Sequence, residues 1–482
     1  MARIRELEEK SKFLEPGEKE RNRSVELIRD YANEFLNGLE ECKTFEFSDE
    51  TSPEFRISGK TKTLEQCVDL YRTQIARKGI NAASGGHLGY IPGGGVFASS
   101  LADFLVDVTN EYAGIFYASP GAVTLENALI DWIKEVFSYP ASAVGNLASG
   151  GSIANLIALT SARDAHGIKN EKIRKSVVYL SAQTHHCISK ALRIIGLEDV
   201  LVRKIELDDR SRILPEKLDC AIRKDLQQGL NPFLVVASAG TTDTGAVDPL
   251  DKIGNLCRKH EVWFHVDAAY GGFFILTESV GHLFKGIEMS DSLVVDPHKG
   301  LFLPYGIGAV LVKDREAVFR SHRQKADYMQ DALREDLPIN PADLSPELTK
   351  HFRGMRMWLP LQLYGTAPFK ACLEEKLLLT KYLRSRLLDL GFSLGPEPDL
   401  SVTYFWMERE ADPDGFNQHL LKMMHEDGST YFSSTRVNGK FVIRAAILSF
   451  RTRLSSVNRA VAMISACLSK TRDHYKRNHD LR

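Results

Sequence analysis

Lys299 stands in the run Asp296-Pro297-His298-Lys299-Gly300, just past the apolar stretch Ser292-Leu293-Val294-Val295. Thirty-two residues earlier a second apolar stretch, Val262-Trp263-Phe264-His265-Val266, ends in Asp267. A lysine amine at the end of a buried strand can condense with an aldehyde. A carboxylate beside it can keep a heteroaromatic nitrogen protonated. The two suit pyridoxal 5'-phosphate, whose protonated ring draws electrons from a bond at the Cα of an amino acid. Alone, each would read as an ordinary surface charge after a strand, because charged side chains are mostly exposed. The pairing carries the chemistry.

Such a cofactor also needs a phosphate cradle and a partner for its ring. Ser149-Gly150-Gly151-Ser152 opens a predicted helix through Ala165. Glycines let the backbone approach closely, Ser152 can donate a hydroxyl, and a helix N-terminus favours an anion. His298 is a second phosphate candidate. In Thr184-His185-His186, the flat imidazole of His185 can lie against a pyridine face. Gly240-Thr241-Thr242 follows another strand and offers hydroxyls, and Ala269 is small enough to lie under the other ring face. All these segments sit at carboxyl ends of predicted strands, where open α/β sheets bind ligands.

The elements that must position them alternate between about Gly121 and Lys313. Helices are predicted at Val123 to Phe137 and Ser152 to Ala165. Strands are predicted at 177–180, 200–202, 233–237, 262–266, 293–295 and 307–312. Continuous apolar strands separated by helices indicate an α/β fold with a mostly parallel sheet covered on both faces. Two amphipathic helices precede it, one with Val25, Ile28, Ala32, Phe35 and Leu36 on a face, the other with Leu64, Val68, Tyr71 and Ile75. Their apolar stripes call for a covering surface, such as a partner subunit. Residues 321–351 are polar, irregular and proline-containing, as expected of a lid. Helices resume at Phe352 to Tyr364 and Ala367 to Leu390, and a smaller α+β unit follows.

Composition narrows the setting. The 482 residues suffice for one large domain with smaller ones attached, and the 43% hydrophobic content is that of a globular protein. Lys and Arg number 62 against 63 for Asp and Glu, which argues against nucleic acid or a membrane surface as partner. No apolar run approaches the roughly 18 residues that span a bilayer. The charged N-terminus has no apolar signal core, so a cytoplasmic protein is expected. Seven scattered cysteines without CxxC spacing read as reduced thiols, with no metal site.

The stretches ASPGAVTLENALIDW, with Trp132, THHCISKA, HVDAAYGG and DPHKG resemble the group II pyridoxal-phosphate-dependent amino acid decarboxylases. The likeness extends from Tyr90-Ile91-Pro92 through Phe441-Val442-Ile443-Arg444. It implies fold type I with a seven-stranded, mostly parallel sheet, a homodimer with its sites at the interface, and a carboxy-lyase reaction. Under the resemblance Lys299 binds the cofactor aldehyde, Asp267 is the pyridine-nitrogen partner and His185 the stacking ring. Gly150, Gly151, Ser152 and His298 lie at the phosphate, with Thr242 and Ala269 near the cofactor. Tyr328, twenty-nine residues past Lys299, matches the lid tyrosine that returns a proton to Cα. The expected division is a helical dimerisation segment at 1–95, a large cofactor domain at 96–360 with its lid at about 321–351, and a small domain at 361–482.

Tyr90, Ile91, Pro92, Phe116 and Tyr117 are expected to line an apolar pocket, which favours an aromatic or bulky apolar L-amino acid. An oxygen-using aldehyde synthase on the same scaffold, or a decarboxylase of acidic amino acids, stays open. Three departures from the family pattern matter, and the glycines among them bear on substrate. Gly300 stands where a tryptophan is frequent, Gly93-Gly94-Gly95 where a threonine is, and Asp296 where an asparagine is. An anionic Asp296 near a phosphate is expected to turn away or to bind backbone donors. Arg353 fits a family arginine, read equally as packing or as substrate contact.

Overall fold

In the computed structural model, which describes residues 1–49, 52–323 and 337–480, the apolar runs assemble into one seven-stranded sheet. Its strands are β1 (Val144–Ala148), β2 (Ser176–Ser181), β3 (Leu201–Ile205), β4 (Asn231–Ser238), β5 (Trp263–Asp267), β6 (Ser292–Val295) and β7 (Gly308–Val312). Their order is β1-β7-β6-β5-β4-β2-β3. From β6 to β3 all pairings are parallel, and β7 runs antiparallel to both β6 and β1.

Side chains alternate between the two faces of a strand. Val177, Tyr179 and Val235 accordingly join Phe137 and Phe273 in one apolar cluster. Val178, Leu180 and Leu234 join Ile157 and Leu159 in another on the opposite face. Each face is covered, so the strands read as unbroken apolar runs. Full burial of one such side chain stabilises by about 1.5–3 kcal/mol.

β1 has no counterpart among the predicted strands, because Val-Gly-Asn-Leu-Ala is a poor β sequence. Close approach explains the glycine, since a Cβ on Gly145 would lie 2.7 Å from the Val310 carbonyl oxygen. The helix read as Val123 to Phe137 begins earlier, at Pro120, whose missing N–H suits a first helical turn.

Past the large sheet, β8 (Ser393–Leu394), β9 (Val402–Trp406), β10 (Ser433–Val437) and β11 (Lys440–Ala446) form an antiparallel sheet in the order β8-β9-β11-β10. Helices Ala367–Asp389, Pro413–Asp427 and Leu454–Asp480 pack on it around Phe405, Phe416, Phe432 and Ile443. At the other end, helices Ala2–Ser11 and Glu18–Asn37 bury none of their residues. Helix Leu64–Gln74 starts in a capping box between Thr63 and Gln66 and buries only Val68. The predicted stripes are present and only partly covered within one chain, with Val25 and Ile28 nearly half exposed.

Residues 337–351 follow the predicted irregular path, with one 3-10 turn at Pro341–Leu344, but they are packed into the fold. Leu344 is buried there, and Lys350 is buried in an ion pair with Glu126 at 2.7 Å. Lys350 Nζ also donates to Asn146 Oδ1 at 2.9 Å and to the Leu147 carbonyl at 3.1 Å. A lysine is tolerated inside only with such a full set of partners. Among the described residues no helix is long and apolar enough to cross a membrane.

Candidate active site

A cavity of about 280 Å³ opens at the carboxyl ends of β1, β2, β4, β5 and β6. Gly150, Gly151, Ser152, His185, Thr242, Asp267, Ala269, His298 and Lys299 all line it. Five strand ends thus bring together every residue that the sequence assigned to cofactor binding. Tyr328 lies outside the described residues.

Asp267 is the last residue of β5 and is 8% exposed. Its Oδ1 accepts the Ala269 N–H at 3.1 Å and its Oδ2 accepts Asn155 Nδ2 at 3.3 Å. Burial pushes its carboxyl above the usual range, against the pull of Lys299 and of these donors. An electron-withdrawing ring held by a proton on its nitrogen needs such an anion, with few fixed donors and a lone pair to spare.

Lys299 projects from the short helical turn Pro297–Gly300. Its Nζ lies 2.9 Å from Asp296 Oδ2. Burial alone would push the ammonium down, but Asp296 and Asp267 outweigh it and hold its pKa above the ordinary lysine value. The expectation that Asp296 turns away is therefore wrong. It faces the cavity at 1% exposure, because the lysine ammonium is the nearest available counter-charge. Its Oδ1 has no hydrogen-bond partner.

His185 accepts the Cys187 N–H on Nδ1 at 3.3 Å and lies 4.1 Å from the His186 ring. Burial, with His186 and Lys299 adding to it, pushes its pKa down to about 4, so the imidazole is neutral at working pH. A neutral flat ring can stack on a cationic pyridine without repelling it. His298 Nδ1 donates to the Ile307 carbonyl, which leaves Nε2, 3.7 Å from Asp296, as its second nitrogen. In the neutral ring that nitrogen is an acceptor, so contact with a phosphate requires a second proton on His298.

Helix Gly151–Ala165 has Gly150 at its N-cap and no side-chain cap. Its first-turn N–H groups are left for an external acceptor. A Cβ on Gly151 would stand 2.8 Å from Asp296 Oδ2 and 3.3 Å from the Ala269 Cβ, so a side chain there would fill the cradle. An amine for the aldehyde, a carboxylate for the ring nitrogen and an uncapped helix for the phosphate all open on one cavity. The residues present fit pyridoxal 5'-phosphate.

None of Tyr90, Ile91, Pro92, Phe116 and Tyr117 lines this cavity within the single chain. Tyr90 is tied to its wall through Arg444. Arg444 Nη1 donates to the Tyr90 carbonyl at 3.0 Å while its Nη2 donates to the Thr242 carbonyl. Next to them Gly93 has no room for a side chain, since its Cβ would lie 2.1 Å from the His298 carbonyl oxygen. Tyr117 is 60% exposed, and the Phe116 N–H donates to Asn340 Oδ1 at 2.8 Å. Gly300 is explained by Phe273, whose Cβ lies 2.8 Å from where a side chain would begin and whose ring stacks on Trp132. Arg353 is forked on Glu347 at 2.9 and 3.2 Å and is 8% exposed, which accounts for it as a packed arginine. Sequence reasoning passed over Asn155 and Cys187, which line the same cavity. A signal was available, since Asn155 lies one turn after Ser152 on the same face of the helix.

Residues 55–408 match the pyridoxal-dependent decarboxylase conserved domain. An aromatic-L-amino-acid decarboxylase of Bacillus atrophaeus is 33% identical over 393 residues, 79% of this chain and 80% of the relative. A phenylacetaldehyde synthase of Arabidopsis thaliana is 28% identical over 406 residues, 80% of this chain and 82% of its own. In fold, the crystal structure of Oryza sativa TDC with PLP and tryptamine superposes with a TM-score of 0.87 at 22% identity, covering 95% of this chain and 99% of that one. The fold and the site define a fold type I enzyme that uses pyridoxal phosphate. The chain belongs to the pyridoxal-dependent decarboxylase family, and is a carboxy-lyase acting on an amino acid.

Proposed function

We propose that the enzyme decarboxylates an aromatic or bulky apolar L-amino acid to its primary amine. The observation that supports this reading is an aromatic cluster tied to the cavity wall through Arg444, which donates to the carbonyls of Tyr90 and of the cavity-lining Thr242. In it Tyr90 meets Tyr431 through a 3.2 Å contact between hydroxyls, with His87 and Phe45 packed beside them. When bound, pyridoxal phosphate supplies a ring that takes up the electrons of the broken bond between Cα and the carboxylate. Lys299 would hold the aldehyde carbon and Asp267 would keep the ring nitrogen protonated. The first turn of helix Gly151–Ala165, with Ser152, would hold the phosphate. His185 would cover the ring and keep water from it, and Ala269 would leave room for it. Tyr328 would deliver the proton to Cα after carbon dioxide leaves, which also favours amine over the aldehyde of an oxidative relative.

The site is completed across a homodimer in this reading. The exposed apolar residues Leu101, Phe104, Leu105 and Val108 of helix Phe97–Thr109 and the stripes of the first 95 residues supply the contact. Tyr117 and Phe116 would then reach the cavity of the second copy. The test is carbon dioxide release from a panel of L-amino acids with added pyridoxal phosphate, alongside a peptide map after borohydride reduction. Release from aromatic substrates with the adduct on Lys299 is expected. Release from acidic substrates alone would refute the substrate class, and an adduct on another lysine would refute the site.

A further inference from the structure

Asp267 ends a buried line of polar groups that the reaction above does not use. Trp263 Nε1 donates to Ser292 Oγ at 2.9 Å. Ser292 Oγ lies 2.8 Å from His265 Nδ1, and His265 Nε2 lies 2.7 Å from Asn155 Oδ1. Asn155 Nδ2 then reaches Asp267 Oδ2 at 3.3 Å. Asn155, His265 and Ser292 are wholly buried and Trp263 is nearly so. Trp263, His265 and Asp267 share one face of β5 by their two-residue spacing. Neighbouring β6 supplies Ser292 and helix Gly151–Ala165 supplies Asn155. Unpaired polar groups at such depth are costly, and here each finds the next.

The carboxylate sets the direction of every hydrogen. An ionised Asp267 only accepts, so Asn155 turns its NH₂ toward it and its carbonyl toward His265. His265 must then carry a proton on Nε2. Burial pushes its pKa down to about 3, so it carries only that one. Its Nδ1 is therefore an acceptor, and the Ser292 hydroxyl donates to it while accepting the indole N–H. A protonated Asp267 permits the reverse order, with the Asn155 amide flipped and the proton of His265 on Nδ1. The tautomer of His265 thus reports the state of Asp267.

We propose that Asn155 and His265 are positioning residues, forming with Ser292 and Trp263 a one-way donor relay that holds Asp267 as an oriented, ionised acceptor for the cofactor ring nitrogen. This rests on the assignment of Asp267 to that nitrogen. Burial favours the neutral carboxylic acid at this position. The relay counters it with a donor on Oδ2 and leaves a carboxylate lone pair free.

Histidine ¹⁵N shifts of the cofactor-free protein at neutral pH test the direction, with His265 assigned through couplings to the β5 backbone. A proton on Nε2 and a hydrogen-bonded acceptor at Nδ1 are expected. A proton on Nδ1, or on both nitrogens, overturns the proposal, and this readout needs no variant to fold. The dissociation constant for pyridoxal phosphate, read by fluorescence, tests the role. It should rise roughly 10- to 100-fold in both Asn155→Leu and His265→Phe, the range for losing a hydrogen bond to a charged group. The double variant should be no worse than Asn155→Leu alone, because both substitutions interrupt one relay. Additive losses would mean two separate packing defects and overturn the proposal, as would an unchanged constant in either single variant. Asp267→Asn separates the two levels. Wild-type binding by that variant removes the ring-nitrogen assignment and the relay with it. Weakened binding there with none in His265→Phe overturns the relay alone.

Discussion

Replacing Asp296 by asparagine tests how the free enzyme holds its lysine. The Lys299 ammonium sits 2.9 Å from a carboxylate that is 1% exposed, so the pair is little screened by solvent. An amine must be uncharged to attack an aldehyde, and this ion pair favours the charged form. A hydrogen bond to a charged partner contributes about 1.5–3 kcal/mol, and about 1.4 kcal/mol is a factor of ten. Asp296→Asn keeps the shape and removes the charge. Burial then drives Lys299 toward the neutral amine, opposed chiefly by Asp267. At neutral pH the reactive fraction should rise roughly 10- to 100-fold, and capture of pyridoxal phosphate should speed by the same factor. Stopped-flow absorbance after mixing cofactor-free protein with pyridoxal phosphate, repeated at neutral and alkaline pH, reads this directly. The whole rate profile should move to lower pH with an unchanged alkaline plateau. A profile at the wild-type position would show that Asp296 does not govern the amine, and the reasoning from the ion pair would fail.

Three further outcomes are expected. Tyr328→Phe should bind cofactor normally but lose amine formation by about 10²–10⁴-fold, the usual contribution of a general acid, with aldehyde and peroxide appearing instead. Amine at the wild-type rate would exclude Tyr328 as the proton donor. Light scattering should give a dimer, and Phe104→Asp with Val108→Asp should yield monomers lacking activity; an active monomer would refute the shared site. Stability should fall as pH drops below about 6.5, because His265 and His87 are held by burial at about 3 and about 4 while the unfolded chain titrates normally. The unfolded state binds more protons throughout that window, so each histidine costs up to about 1.4 kcal/mol per pH unit, read as a drop in denaturant midpoint. A midpoint flat from neutrality to pH 4 would contradict the burial of both rings.

What was legible in the sequence, and what was not, follows from which interactions are local. Asp267 and Lys299 could be read because one ends and the other closely follows an unbroken apolar run, and such runs become strands of a sheet covered on both faces. The glycines at 150 and 151 were legible because a turn before a helix N-terminus is a local event. β1 was not, because Gly145 answers to the Val310 carbonyl, a contact made only once the sheet exists. The packing of 337–351 was hidden for the same reason. Lys350 looks like a surface lysine until Glu126, more than two hundred residues away, makes it a buried one. Asp296 shows the limit most plainly. Its position at a strand end was readable, and charge repulsion from a phosphate argued that it turns out. The lysine three residues on argues that it turns in, and at 2.9 Å in a buried pocket that attraction wins. Sequence lists both charges without their distance. The free enzyme therefore holds an anion in the cavity that a phosphate must enter, and the Asp296→Asn profile measures how strongly that anion holds its lysine.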